Sequence, residues 1–339
     1  MKDVEIIPTW DMTENEWLEA RDRGLGGSDA GTVCGINKYK SPYSLWSEKS
    51  GLVERQSAGD AAKWGHRLEL VVAEAYAEDY NKAVVSWPVI LASKEPGFEF
   101  MFANLDFLIV EPSEQFPAGV VTDWKKTEWP DGVQSILEVK TSGIASPGTS
   151  HLWANNSIPE SYLLQTTHYG IVTGIHSIVF AALLGGQGLV VREPEWDDNL
   201  AESLMVAEQM FWDMVLAGEP PAVDGSEATE AALAQRYARH SEGKVFEADN
   251  RFMEIWSEFQ GAKAAAETAE QRKKELRAEI VSILGDSESA TFNGSAVLTF
   301  RTSKDSETFD ARRFQTENPE LYATYLKPKP GVRTLREAK

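Results

Sequence analysis

The chain has 339 residues, of which 42% are apolar, enough for one large domain or two ordinary ones with a sizeable core. A formal net charge of −20 excludes a protein that is basic over its whole surface, although a groove can still be locally positive. The single cysteine, Cys34, excludes an intrachain disulfide, a cysteine zinc cluster and an iron–sulfur cluster.

No apolar run approaches the ~18 residues of a membrane span, and the first residues lack the basic start and apolar run of a secretory signal. The expectation is therefore no membrane partner and a reducing, cytoplasmic setting.

In chain order, residues 17–23 read as a helix running into LGGSDAGTVCGI. Gly26 and Gly27 break it, and Ser28 or Asp29 can cap the next helix. SPYSLWSEKSGL reads as a short helix capped by Ser41, with Pro42 in its first turn. Residues 61–80 have clear helical periodicity: Leu68, Val71, Val72, Ala75 and Tyr76 share a face, with Glu69 at its margin. FEFMFANLDFLIV and SILEVKTS read as β-rich segments separated by a hairpin excursion, TDWKKTEWPDG. PESYLLQTTHYGIVTG is helical, with Pro159 near its start and Gly174 as its stop. SIVFAALLGG is a buried strand and GLVVREPE a candidate for another. An amphipathic helix covers 197–218 and ends at Gly218, and PPAVDGSEATEAALAQ reads as a linker.

Beyond it lie a long helix over 248–285 and a hairpin, ATFNGSAVLTFRTS, with an Asn-Gly turn. The end is basic: Arg312, Arg313, Lys327, Lys329, Arg333, Arg336 and Lys339. The expected division is a core over 1–220 and an accessory region over 221–339. The long helix there reads as a coiled-coil seam, a DNA clamp, a partner-binding arm or a packed subdomain.

Chemistry concentrates in LEVKTS and ANLDFLIV. On a strand, residues two apart face one way, so Glu138 and Lys140 point together while Val139 points into the core. Asp106 begins the strand one hairpin earlier. Two carboxylates and a lysine on adjacent strands suit Mg²⁺ or Mn²⁺, which take hard oxygen ligands, and are the parts that metal-assisted phosphodiester hydrolysis needs. Glu69 offers a third carboxylate from the preceding helix; an ordinary exposed glutamate reads the same way. His66, three residues before it, is a candidate phosphate contact or a structural histidine. Trp46, Trp64 and Trp153 read as core residues.

The order WLEARDRGLGGSDA, SPYSLWSEKSG, WGHRLE, ANLDFLI, LEVKTS and IPESYLLQTTHYGIVTG resembles the YqaJ-type viral recombinases, in the lambda-exonuclease branch of the PD-(D/E)XK nucleases. The resemblance covers about residues 17 to 174. It implies a mixed α/β fold, a restriction-endonuclease-like core whose central mixed sheet is flanked by helices, here with a helical and β-hairpin C-terminal extension. It implies Mg²⁺-dependent 5′-to-3′ degradation of linear duplex DNA, leaving 3′ single-stranded tails. A single-strand annealing protein as partner and a ring-like homo-oligomer follow from it. By the same resemblance Asp106, Glu138, the Val139 carbonyl and Glu69 are metal contacts, and Lys140 and Gln165 are catalytic. Arg21 and Ser28 receive the 5′-phosphate. Leu105 and Thr167 depart from the family pattern, which has proline before the aspartate and a second glutamine two residues after the first. The alternatives are a structure-specific or endonucleolytic relative and a non-catalytic DNA- or protein-binding descendant.

Overall fold

The computed structural model describes residues 1–55, 59–143, 151–329 and 331–337, with backbone alone at 151, 152 and 154. Lys339 of the basic end lies outside the described residues. The chain divides into two compact units, Met1–Ala238 and Arg239–Lys339.

The first unit opens with β1 (Val4–Pro8) and α1 (Glu14–Asp22). Thr13 and Glu16 cap α1 reciprocally: each side chain accepts the other's backbone N–H. β2 (Leu25–Gly26) leads into α2 (Gly27–Val33). Ser28 and Asp29 do not cap α2 as expected. Gly26 is its N-cap, and Asp29 reaches back from the first turn to accept the Gly26 N–H at 3.2 Å. α3 (Pro42–Lys49) follows, with the Ser41 hydroxyl accepting the Ser44 N–H at 3.0 Å.

α4 (Asp60–Tyr80) buries Val72, Ala73, Tyr76 and Ala77 and leaves Val71 and Ala75 exposed. The buried stripe is thus rotated from the expected one. Ala73 and Ala77 bring the helix close to the sheet, against Val84, Phe107, Leu137 and Val139.

The strands β3 (Ala83–Val85), β4 (Val89–Ser93), β5 (Met101–Ala103), β6 (Phe107–Val110), β7 (Gly119–Val121) and β8 (Val133–Ser142) come next. Then follow α5 (Glu160–Thr173), β9 (Ile178–Leu184), β10 (Gly188–Arg192), α6 (Asp198–Ala217) and α7 (Glu227–Arg236). The central sheet is mixed and six-stranded, in the order β10-β9-β8-β6-β3-β7. β8 pairs antiparallel with β6 and parallel with β9. Val139 and Leu137 face α4, whereas Ile136 belongs to the opposite core with Leu164 and Val172 of α5.

The single sheet expected from sequence is joined by a second, four-stranded one, in the order β1-β4-β5-β2. FEFMFANLDFLIV therefore contributes to two sheets, because the chain leaves β5 at Asn104, whose amide donates to the Val89 carbonyl. The segment between β6 and β8 also contains β7, which pairs with β3.

α7 replaces most of the expected linker. It packs on α3 through a buried Ser41–Thr229 hydroxyl pair at 2.7 Å and an Arg236 donor to the Tyr43 hydroxyl at 2.9 Å. The first compact unit, which ends at Ala238, therefore includes α7.

The second unit contains α8 (Asn250–Leu284), the hairpin β11 (Ser289–Phe292) and β12 (Ser295–Thr299), α9 (Ala311–Glu317) and α10 (Pro319–Thr324). Asn293 and Gly294 turn the hairpin with φ of 50° and 80°, the left-handed pair that a two-residue turn requires.

Candidate active site

Asp106 ends the approach to β6, and Glu138 and Lys140 lie on β8, its antiparallel neighbour. The Val139 N–H donates to Asp106 Oδ2 at 2.9 Å, which fastens the aspartate to the adjacent strand. Glu138 is fully buried, and Lys140 Nζ lies 2.6 Å from its Oε1.

Gln165 reaches this pair from α5. Its Nε2 donates to Glu138 Oε1 at 2.7 Å and to the Tyr169 hydroxyl at 2.8 Å, and its Oε1 accepts from Lys140 Nζ at 3.0 Å. Lys140 also sits 4.7 Å over the Tyr162 ring, a favourable cation–π position. Tyr162 is the tyrosine of the Tyr-x-x-Gln pattern that ends in Gln165, whereas Tyr169 is a residue of the cluster that the sequence reading missed. Tyr169 is four residues after Gln165 on one helix, so its spacing carried the signal.

The electrostatics are those of crowded carboxylates. Burial pushes the Glu138 carboxyl up, Asp106 and Glu69 add to this, and Lys140 only partly offsets it, leaving the value at about 8. Burial also raises Asp106, against the pull of Lys140 and the Val139 N–H. Lys140 is held above its ordinary range, because Glu138 and Asp106 outweigh the effect of burial on it. Glu69 is raised by burial and by Asp106, with His66 and Lys140 opposing.

Of the expected residues, Asp106, Glu138, Lys140 and Gln165 come together directly. Glu69 comes within electrostatic reach of them, and its carboxylate is 2.9 Å from Nδ1 of the exposed His66. Among the described residues no three Asp, Glu, His or Cys side chains already converge on one point. The donor set nevertheless fits a hard divalent cation. Glu138 Oε2 is buried with no hydrogen-bond partner, and the neighbouring carboxylates exceed the positive charge of the one lysine.

Arg21 and Ser28 meet as a separate pair, with the guanidinium donating to Ser28 Oγ at 3.0 Å and stacking 4.6 Å over Trp17. They line a cavity of about 460 Å³ that also presents Asn37, Lys40 and Arg55. The buried Lys49 holds the backbone behind them. Its Nζ donates to the carbonyls of Gly24 at 2.6 Å and Arg21 at 3.1 Å, and lies 3.2 Å from Asp29 Oδ2. Gly27 brings α2 against the active-site helix: a Cβ there would stand 2.5 Å from the Tyr169 ring and 2.8 Å from the Gln165 carbonyl.

His168 lies on α5 and is fully buried. It bonds Glu208 of α6 through Nδ1 at 2.9 Å and the Phe102 carbonyl through Nε2 at 2.9 Å. Trp46 and Trp153 are core residues as expected, but Trp64 is 58% exposed, with Arg67 stacked over it.

Fold and site define a mixed α/β protein with two carboxylates and a lysine on paired strands of its central sheet. Residues 16–176 match the YqaJ-like viral recombinase domain. The chain is 34% identical over 282 residues to the Bacillus subtilis (strain 168) protein described as "Uncharacterized protein YqaJ", covering 82% of this chain and 80% of that one. The chain belongs to the YqaJ-like viral recombinase family. Among solved structures it is similar to the alkaline exonuclease LHK-Exo from Laribacter hongkongensis, at 16% identity and a TM-score of 0.45. The complex of LHK-Exo with dAMP gives 14% and 0.46, and each match covers 60% of this chain and 94% of that chain. No helix among the described residues is long and apolar enough to cross a membrane.

Proposed function

We propose that this protein is a Mg²⁺-dependent exonuclease that degrades one strand of linear duplex DNA from its 5′ end. The observation that carries the reading is the Asp106–Glu138–Lys140 cluster, with the buried and unpartnered Glu138 Oε2 at its centre.

Asp106, Glu138 and the Val139 carbonyl would hold the ion, with Glu69 approaching from α4. Bound there, a divalent ion supplies Lewis acidity toward the phosphodiester and favours ionisation of a nearby water. Lys140 keeps its proton between two carboxylates, so its role is to neutralise negative charge that grows on the phosphate oxygens. Gln165 spans Glu138 and Lys140 and fixes their separation. Tyr169 keeps its hydroxyl proton, because burial and both carboxylates push its ionisation well above the ordinary range. Arg21 and Ser28 form a phosphate receiver, a guanidinium beside a hydroxyl, for the 5′-terminal phosphate. Such an enzyme would leave 3′ single-stranded tails for an annealing protein, act in the cytoplasm of a bacterial host, and grip its product as a ring-like oligomer.

Digestion of end-labelled linear duplexes tests this reading. The expected result is release of mononucleotides from 5′ ends, faster from 5′-phosphate than from 5′-hydroxyl. Mg²⁺ or Mn²⁺ should support turnover, and Ca²⁺ binding without turnover. Degradation from 3′ ends, or undiminished cleavage in excess chelator, overturns it.

A further inference from the structure

We propose that α8 is one half of an antiparallel coiled coil completed by α8 of a second copy of this chain. From Phe252 onward the helix carries a seven-residue repeat. Phe252, Phe259, Ala266, Lys273 and Ile280 occupy its first position. Ile255, Ala262, Ala269, Leu276 and Ile283 occupy its fourth. An apolar first and fourth position, sustained along a 35-residue helix, is the seam along which two helices interlock. Every one of these positions is exposed, Ile283 to 85%, and α8 has no buried residue.

The seam also indicates its occupant and its direction. Lys273 is the single charged residue in it. In a parallel pair Lys273 would face Lys273 of the second copy, two ammonium groups inside an apolar layer, and Arg272 would face Arg277 beside them. Reversing one helix removes both conflicts. Lys273 then meets Ala262 of the second copy, a small residue that leaves room for the lysine stem to lie along the seam with its ammonium in water. The other layers match by size: Phe252 meets Ile283, Phe259 meets Leu276, and Ala266 meets Ala269. On the flanks Lys263 faces Glu270 twice by symmetry, and Arg277 faces Trp256. Glu258 against Glu279 is the like-charged pair of this register, and both lie on the outer flank. The result would join two catalytic units through their C-terminal regions.

The test uses the full chain in a Cys34→Ser background. Two preparations, Ala262→Cys and Lys273→Cys, are oxidised separately and after mixing. The antiparallel register brings residue 262 of one chain to residue 273 of the other. It keeps like residues about 16 Å apart, from 11 residues at 1.5 Å each. The expected result is a disulfide-linked dimer in the mixture alone; cross-linking within each separate preparation, or in none, overturns the proposal. Sedimentation equilibrium supplies the second measurement. Leu276→Glu should halve the assembly mass. Lys263→Glu should weaken assembly about tenfold, and adding Glu270→Lys should restore it. A mass unchanged by Leu276→Glu, or no rescue by the paired swap, overturns it as well.

Discussion

At the scale of single residues, the centre of the site is a conflict between function and stability. Asp106→Ala, Glu138→Ala and Lys140→Ala should each lower turnover on linear duplex by about 10³-fold, equivalent to about 4 kcal/mol of transition-state stabilisation. Circular dichroism should show each variant folded. Glu138 permits a sharper prediction. Its folded value of about 8 stands above the ordinary 4.5, so between those pH values the unfolded chain releases a proton that the folded chain retains. In chelator, wild-type stability should therefore fall as pH rises through that window. Glu138→Gln should show a smaller fall, since Asp106 and Glu69 are raised as well, and should melt higher than wild type at pH 8; parallel melting curves from pH 5 to 8 would refute this. Strand alternation put Glu138 and Lys140 on one face, but Asp106, on the far side of β7 in the chain, was joined to them by the resemblance in motif order. Glu208 was not legible: its partner His168 is 40 residues away, and nothing near either residue announces the pair.

At the scale of elements, Lys49 binds three pieces of chain that the sequence leaves unconnected. Its ammonium meets two carbonyls at the end of α1 and Asp29 in the first turn of α2, and so sets where Arg21 and Ser28 stand. Lys49→Met should cost about 3 kcal/mol, because it strands a buried carboxylate, and adding Asp29→Asn should recover most of it. A double-mutant cycle in urea measures the coupling. Arg21→Ala should lose the preference for 5′-phosphorylated ends more than it loses cleavage of 5′-hydroxyl ends; equal rates of variant and wild type on phosphorylated duplex would assign Arg21 to the surface instead. Helices were the readable elements, since Ser41, Gly174 and Gly218 mark their ends by local chemistry. Sheet membership was not readable. β5 and β6 are separated by only three residues, yet their partners, β4 and β8, lie in different sheets.

At the scale of the whole molecule, the boundary at Ala238 has a measurable meaning. A chain ending at Ala238 should keep a cooperative melt and the Asp106–Glu138–Lys140 cluster. One ending at residue 225 should be less stable by about 2 kcal/mol, since it gives up the buried Ser41–Thr229 pair and Ala232. Removing residues 239–339 also takes away the basic residues from Arg312 onward. DNA binding should then depend less steeply on salt, by about one power for each phosphate that those residues had neutralised. An unchanged salt slope in a stable truncation would exclude any role of that end in holding DNA. The composition of PPAVDGSEATEAALAQ gave no sign of α7's docking, because a short helix rich in Ala and Glu is held in place only by a distant partner, α3.

β8 pairs with β6 as far as Leu137 and with β9 from Ile136 to Ser142, and its central peptide groups lie beneath helices. Ile136 and Leu137 are paired on both sides, so their amide hydrogens should exchange with deuterium only when the whole unit opens. Inactivation by heat and loss of the native fold would then trace one curve.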